Sequence, residues 1–163
     1  MNMPVGPGND RRMESPGYKK SFRIALLASS DDEREELTDA LQVNSMGHEL
    51  LIFEDPDQLF EALDAACTDH VAGRASLPNL LMIALDDGRW SNADVLARVK
   101  HTPTLKAMPV IVFYRHNTSP NTPELYRLGA ASVIHMPLRF EGLVQIVQVM
   151  EDYWFKVASP FPV

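Results

Sequence analysis

The chain has 163 residues, 45% of them hydrophobic and 23% charged, and a formal net charge of −7, which suits one soluble globular domain with a sizeable core. Nucleic-acid partners are held mainly by Lys and Arg against phosphate, so an acidic chain with no basic stripe argues against them. Membrane insertion and secretion are equally disfavoured: no apolar run nears the roughly 20 residues that span a bilayer, the N-terminus lacks an apolar signal region, and the single cysteine, Cys67, cannot close an internal disulfide. A cytoplasmic protein is expected.

Residues 1–19 contain Pro4, Gly6, Pro7, Gly8, Pro16 and Gly17 with no apolar periodicity, and they read as a disordered tail. From Phe22 the pattern alternates. Phe22–Leu27 is a strand, and Ser30 with Glu33 fits a capping box opening a helix through Leu37, Leu41 and Val43. Glu49–Phe53 is the second strand. Asp55-Pro56 opens the second helix, with aspartate as N-cap and proline at the first helical position; Leu59, Phe60, Leu63 and Ala66 form its apolar face. A loop over 68–76 leads to the third strand, Leu80–Ala84, followed by a helix over 93–99. Pro109–Phe113 is the fourth strand. Thr122-Pro123 opens a short fourth helix that Gly129 ends, Ala131–Ile134 is the fifth strand, and a last helix runs from Phe140 to Val157.

Five strands apolar on both faces and separated by helices predict a parallel sheet covered on both sides. Right-handed crossovers favour the doubly wound order 2-1-3-4-5, with the site at the carboxyl ends of the strands. The expected organisation is a tail over 1–19, one α/β domain over 20–157 and an apolar arm over 158–163.

Three segments carry a family likeness: Met108-Pro109-Val110-Ile111-Val112, Tyr126-Arg127-Leu128-Gly129-Ala130, and Met136-Pro137-Leu138-Arg139-Phe140 followed by Leu143 to Val149. With the ending Tyr153-Trp154-Phe155-Lys156-Val157, residues 22–157 resemble a CheY-like response-regulator receiver domain of the flavodoxin-like fold. The likeness is strongest to the stand-alone receivers that accompany bacterial and cyanobacterial phytochromes. The resemblance implies a phosphoacceptor aspartate at the end of the third strand, and Ala84 stands there. It implies a pair of Mg²⁺-holding acids after the first strand, matched by Ala28 and Ser29. The hydroxyl residue after strand four is matched by Tyr114, the lysine after strand five by Met136, and the aromatic switch position by Val133. A methyl group has no oxygen to phosphorylate, and one hydroxyl is a poor substitute for two carboxylates around a hard cation. The family's framework is kept and its chemistry is replaced.

Other chemistry reads weakly. Asp31, Asp32, Asp86 and Asp87 could gather near the strand ends, but the first two suit a helix first turn and the last two a turn before Gly88. Asp86 is the alternative phosphoacceptor, working with a divalent cation, although its offset from the strand moves the carboxylate away from the pocket. His48, His70 and His101 read as solvated positions. His116 and His135 lie near Tyr114; a Tyr114–His135 hydrogen bond plugging the vacated pocket and two unrelated polar residues are both open readings. Cys67 reads as a small hydrophobe. No zinc-ligand spacing and no nucleophile–base set is present, and the loop after strand one lacks the glycine that a flavin or nucleotide phosphate needs. Neither enzyme activity, cofactor nor metal is expected.

On the last helix, Leu143, Ile146, Val147, Met150, Trp154 and Val157 form one apolar stripe. Val144, Val149, Tyr153 and Phe155 fall beside or off it, and Phe161 lies in the arm. These five suggest a protein interface; the other reading is that the arm folds back on its own domain or stays disordered. The resemblance implies a homodimer through this end of the molecule and a sensor histidine kinase partner, such as a phytochrome. The expected function is a pseudo-receiver that binds partners without being phosphorylated.

Overall fold

The computed structural model describes residues 22–43, 48–68, 77–86, 88–115, 120–159 and 161. The expected tail over 1–19, His70, Asp87, His116 and the arm residues Pro160, Pro162 and Val163 lie outside the described residues. In chain order the elements are β1 (Arg23–Ala28), α1 (Asp31–Val43), β2 (Glu49–Phe53), α2 (Pro56–Thr68), β3 (Leu80–Ala84), α3 (Asn92–His101), β4 (Val110–Tyr114), α4 (Thr122–Arg127), β5 (Ser132–His135) and α5 (Phe140–Asp152), which continues into a π-helical turn over Tyr153–Val157.

The five strands form one sheet in the order β2-β1-β3-β4-β5, and every neighbouring pair is parallel. The expected fold class, α/β with a doubly wound parallel sheet in the order 2-1-3-4-5, is the one observed. Alternate strand residues feed two cores because successive side chains point to opposite faces. Ala25, Leu27, Leu81, Ile83, Val110 and Val112 face α2, α3 and α4. Ile24, Leu26, Leu80, Met82, Ile111 and Phe113 face α1 and α5. β3 is buried along its whole length, which explains its unbroken apolar sequence.

Local signals account for most helix ends. The Asp55 carboxylate accepts the Asp57 N–H at 3.0 Å and caps α2. Ser91 and Asp94 form a full capping box on α3, so that helix runs longer than the expected 93–99. The Ser30 hydroxyl accepts the Glu33 N–H at 3.4 Å, but the Glu33 carboxylate is turned to Arg115; a long-range ion pair won over the local return bond. Gly129 has φ 110°, a left-handed conformation that glycine adopts without strain, and it turns the chain from α4 into β5.

The last helix departs from expectation. Its α-helical part stops at Asp152, and the Ala158 N–H bonds the Tyr153 carbonyl at 2.8 Å, five residues back. This wider turn shifts the angular phase of the residues after Asp152. Val157, expected on the core stripe, is 73% exposed. Phe155, expected off it, is half-buried and stacks on Phe22 with centroids 4.4 Å apart. Val144 is likewise half-buried against the α1–α5 core. Phe161 folds back: its ring lies against the α2–α3 core and its carbonyl accepts the Asn79 side-chain amide at 2.6 Å. Of the five expected interface residues, Val149 and Tyr153 remain well exposed. His48, expected in solvent, has a buried side chain 3.3 Å from Glu151.

Candidate functional site

The carboxyl ends of β1, β3 and β4 and the chain after β5 converge as the topology requires. Ala28 and Ala84 are register partners at the ends of β1 and β3. Met136 follows β5 and donates its N–H to the Tyr114 carbonyl at 2.8 Å. Ala28, Ala84 and Met136 are all buried in one apolar cluster with Phe113. Four of the positions named from sequence are thus brought together, and three of them form a sealed apolar floor.

Ser29 is exposed above that floor and already engaged. Its N–H donates to the Ala84 carbonyl at 3.3 Å, and its hydroxyl accepts the Asp86 N–H at 3.0 Å. This staple ties the β1 and β3 loops together, a bridge that costs no cation. Beside it, Leu85 N–H donates to the Asn92 side chain at 3.0 Å. Val133 is half-buried, and its N–H donates to the Tyr126 hydroxyl at 3.1 Å. Tyr114 and His135 meet ring against ring, centroids 5.0 Å apart and tilted by 36°. Of the two readings left open for them, neither a hydrogen bond nor independence describes this contact, which is one of ring on ring.

Outside the floor is an open cavity of about 580 Å³, bordered by Ser30, Glu33, Asp86, Asn92, Tyr114 and Asn121 among others. Asp86 reaches this rim despite its offset from the strand, because the chain turns outward after Ala84. Asp32 also borders it, whereas Asp31 pairs with Arg34. Arg34 donates to the Ala28 carbonyl at 2.9 Å, placing a guanidinium at the backbone of β1.

Arg115, one residue past β4, reaches across the cavity to α1. It pairs with Glu33 at 3.1 Å and with Glu36. Burial pushes the Glu33 carboxyl above its ordinary range; the Arg115 hydrogen bond opposes this, while the charges of Asp86 and Glu36 add to it. Sequence reasoning missed this bridge, since a lone arginine after a strand gives no sign of partners on the first helix. The residues present do not fit a Mg²⁺ ion of the receiver type: Ala28 offers no ligand and the Ser29 hydroxyl is committed to Asp86. Among the described residues no group of three or more His, Cys, Asp or Glu is arranged to hold a metal, and no helix is long and apolar enough to cross a membrane.

No family model matches the chain. Response regulator Rcp1 of Synechocystis sp. is 24% identical over 136 residues, covering 83% of this chain and 90% of that protein. The crystal structure of the phosphorylated cyanobacterial phytochrome response regulator RcpA superposes with a TM-score of 0.73 at 26% identity, covering 88% of this chain and 99% of that one. Response regulator RPA3017, in red light signaling of R. palustris, shares the fold with a TM-score of 0.73 at 17% identity, covering 87% of this chain and 99% of its own.

Proposed function

We propose that this chain, a CheY-like response-regulator receiver domain of two-component signalling, works as a pseudo-receiver: a non-enzymatic interaction module whose partner binding does not depend on phosphorylation. The observation that carries the reading is the floor of the site. The side chain at the end of β3 is the methyl of Ala84, 1% exposed, in register with Ala28 and clustered with Met136. That arrangement supplies no carboxylate to accept a phosphoryl group and no ammonium to stabilise it. The degenerate pocket of Ala28, Ser29, Ala84, Tyr114 and Met136, with Val133 at the switch position, is held by the Ser29–Asp86 staple and the Arg115 bridge instead.

The partner is a sensor histidine kinase, with a phytochrome as first candidate given the names of the relatives. A second copy of the chain is the other partner, through the outer side of α5, where Val149, Tyr153 and Val157 are 68%, 51% and 73% exposed. An isologous interface lets one apolar patch cover its own copy. The protein works in the cytoplasm, without nucleic acid and without membrane attachment.

The position of Asp86 favours a second reading, in which this rim carboxylate with Asp32 and a divalent cation accepts the phosphoryl group. Intact-mass measurement after incubation with acetyl phosphate and Mg²⁺ separates the two. The pseudo-receiver gains no phosphoryl mass; an acid-labile gain that disappears in Asp86→Ala establishes the second reading and overturns the first.

A further inference from the structure

His48 and Glu151 meet where β2 begins and α5 ends. Their side chains are each 3% exposed, with Nε2 and Oε2 3.3 Å apart. Among the described residues, neither Glu151 carboxylate oxygen has a hydrogen-bond partner, and neither does His48 Nδ1. Phe155 lies beside the imidazole, its ring 6.0 Å away and stacked on Phe22. Two ionisable groups in such a place have one tolerable state. With neither group protonated beyond the neutral imidazole's own N–H, a buried carboxylate has no counter-charge; with both protonated, a buried imidazolium faces no anion. With one proton, on either side, the pair is neutral overall.

We propose that His48 and Glu151 form a one-proton lock: they hold a single proton between them, and the C-terminal end of α5 stays docked through acid and neutral pH, where either group alone would loosen it. The segment that depends on the lock is the π-helical turn Tyr153–Val157, which comes just after Glu151 and Asp152 and carries exposed Tyr153 and Val157.

Among the described residues, the charges facing the pair come from its own helix. Asp152 raises the Glu151 carboxyl and Lys156 lowers it, and these two pair with each other at 3.2 Å. The elements enclosing this end of α5 present apolar side chains: Leu37, Ala40 and Leu41 from α1, Ile24 from β1 and Leu50 from β2. Their charged residues are turned away or paired, with Asp39 exposed, Glu36 on Arg115, and Glu49 on Arg23 at 2.9 Å.

Burial drives the two groups in opposite directions. It pushes Glu151 up from 4.5 to about 7 and pushes His48 down from 6.5; the Leu41 carbonyl favours the charged ring but does not meet Nδ1 in hydrogen-bond geometry. Docked, the pair therefore keeps one proton up to about pH 7. Released into water, it also keeps one between pH 4.5 and 6.5, now on the histidine. Equal proton counts mean that docking does not change with pH across that window. Above 6.5 the released form has no proton while the docked form still holds one, so docking weakens until about pH 7, by about threefold for half a unit.

Amide hydrogen exchange of residues 151–158 in the full chain, corrected for the intrinsic pH dependence, tests this. In the unmodified protein, protection stays within about threefold from pH 4.5 to 6.5. His48→Leu leaves Glu151 alone, and protection falls by about tenfold per pH unit over that window. Glu151→Gln leaves His48 alone, and protection rises with pH instead. Single variants as flat as the unmodified protein, or a change above about tenfold in the unmodified protein, overturn the lock. If either variant does not fold, NMR titration of the unmodified protein decides. One proton on the pair at pH 5.5, as a protonated Glu151 carboxyl beside a neutral His48 or an imidazolium beside a carboxylate, supports the lock; two protons or none at that pH, or both groups titrating at their ordinary 4.5 and 6.5, overturns it.

Discussion

Ala84→Asp places the missing carboxylate where a receiver would carry it, and its consequences are set by what surrounds the strand end. Ala84 is 1% exposed, and its cluster neighbours include Ala28, Phe113 and Met136. Arg115, one residue past β4, already pairs with Glu33 and Glu36, and Asp86 adds like charge nearby. The new carboxyl is therefore desolvated without a counter-charge, which raises its pKa. If it stays neutral to about pH 6, two units above the ordinary value of about 3.9, the folded state is penalised by roughly 2–3 kcal/mol at pH 7. The sign comes from proton counts. Between about pH 4 and 6 the folded variant holds a proton that the unfolded chain has lost, so the variant's stability falls as pH rises and levels off above about pH 6. Urea unfolding followed by circular dichroism at pH 4.5 and 7.5, for variant and parent, measures the difference. The destabilisation is expected to be larger at pH 7.5, with no rescue by millimolar Mg²⁺ and no phosphoryl uptake from acetyl phosphate. A variant as stable as the parent at pH 7.5, or one stabilised by Mg²⁺, would refute the reasoning by showing that metal-holding acids exist at this site.

Val149→Glu with Tyr153→Glu is expected to convert a dimer to a monomer in light scattering at micromolar concentration while circular dichroism stays unchanged; a monomeric parent would remove the α5 interface altogether. Phe155→Ala is expected to cost roughly 1–2 kcal/mol in urea unfolding through loss of the Phe22 stack, less than a fully buried aromatic because the ring is half-buried; no loss of stability would show that the stack is idle. Arg115→Ala strands Glu33 and Glu36 as neighbouring like charges under partial burial and is expected to cost roughly 1–2 kcal/mol. That loss should shrink as pH falls and Glu33, whose carboxyl is already raised, takes up a proton; a loss independent of pH would mean the bridge is not electrostatic.

The alternation of apolar five-residue runs with helical periodicity determined the fold class. A run such as Leu80–Ala84 can only be buried on both faces, and that forces helices onto both sides of a parallel sheet and leaves the strand ends as the site. The receiver likeness, laid on those runs, pointed to Ala28, Ala84, Tyr114 and Met136, because strand ends are local features that topology then brings together. What the sequence could not decide depended on partners far apart in the chain. Glu33 left its capping role for Arg115, the π-helical turn carried Phe155 inward and Val157 outward, and Phe161 found the Asn79 amide. His48 reads as a solvated residue before a strand, and Glu151 as one acid among several near a helix end. Burial is a property of the assembled surface around a residue and not of its neighbours in sequence, so only the docking of α5 beside β2 could turn these two into a buried ionisable pair.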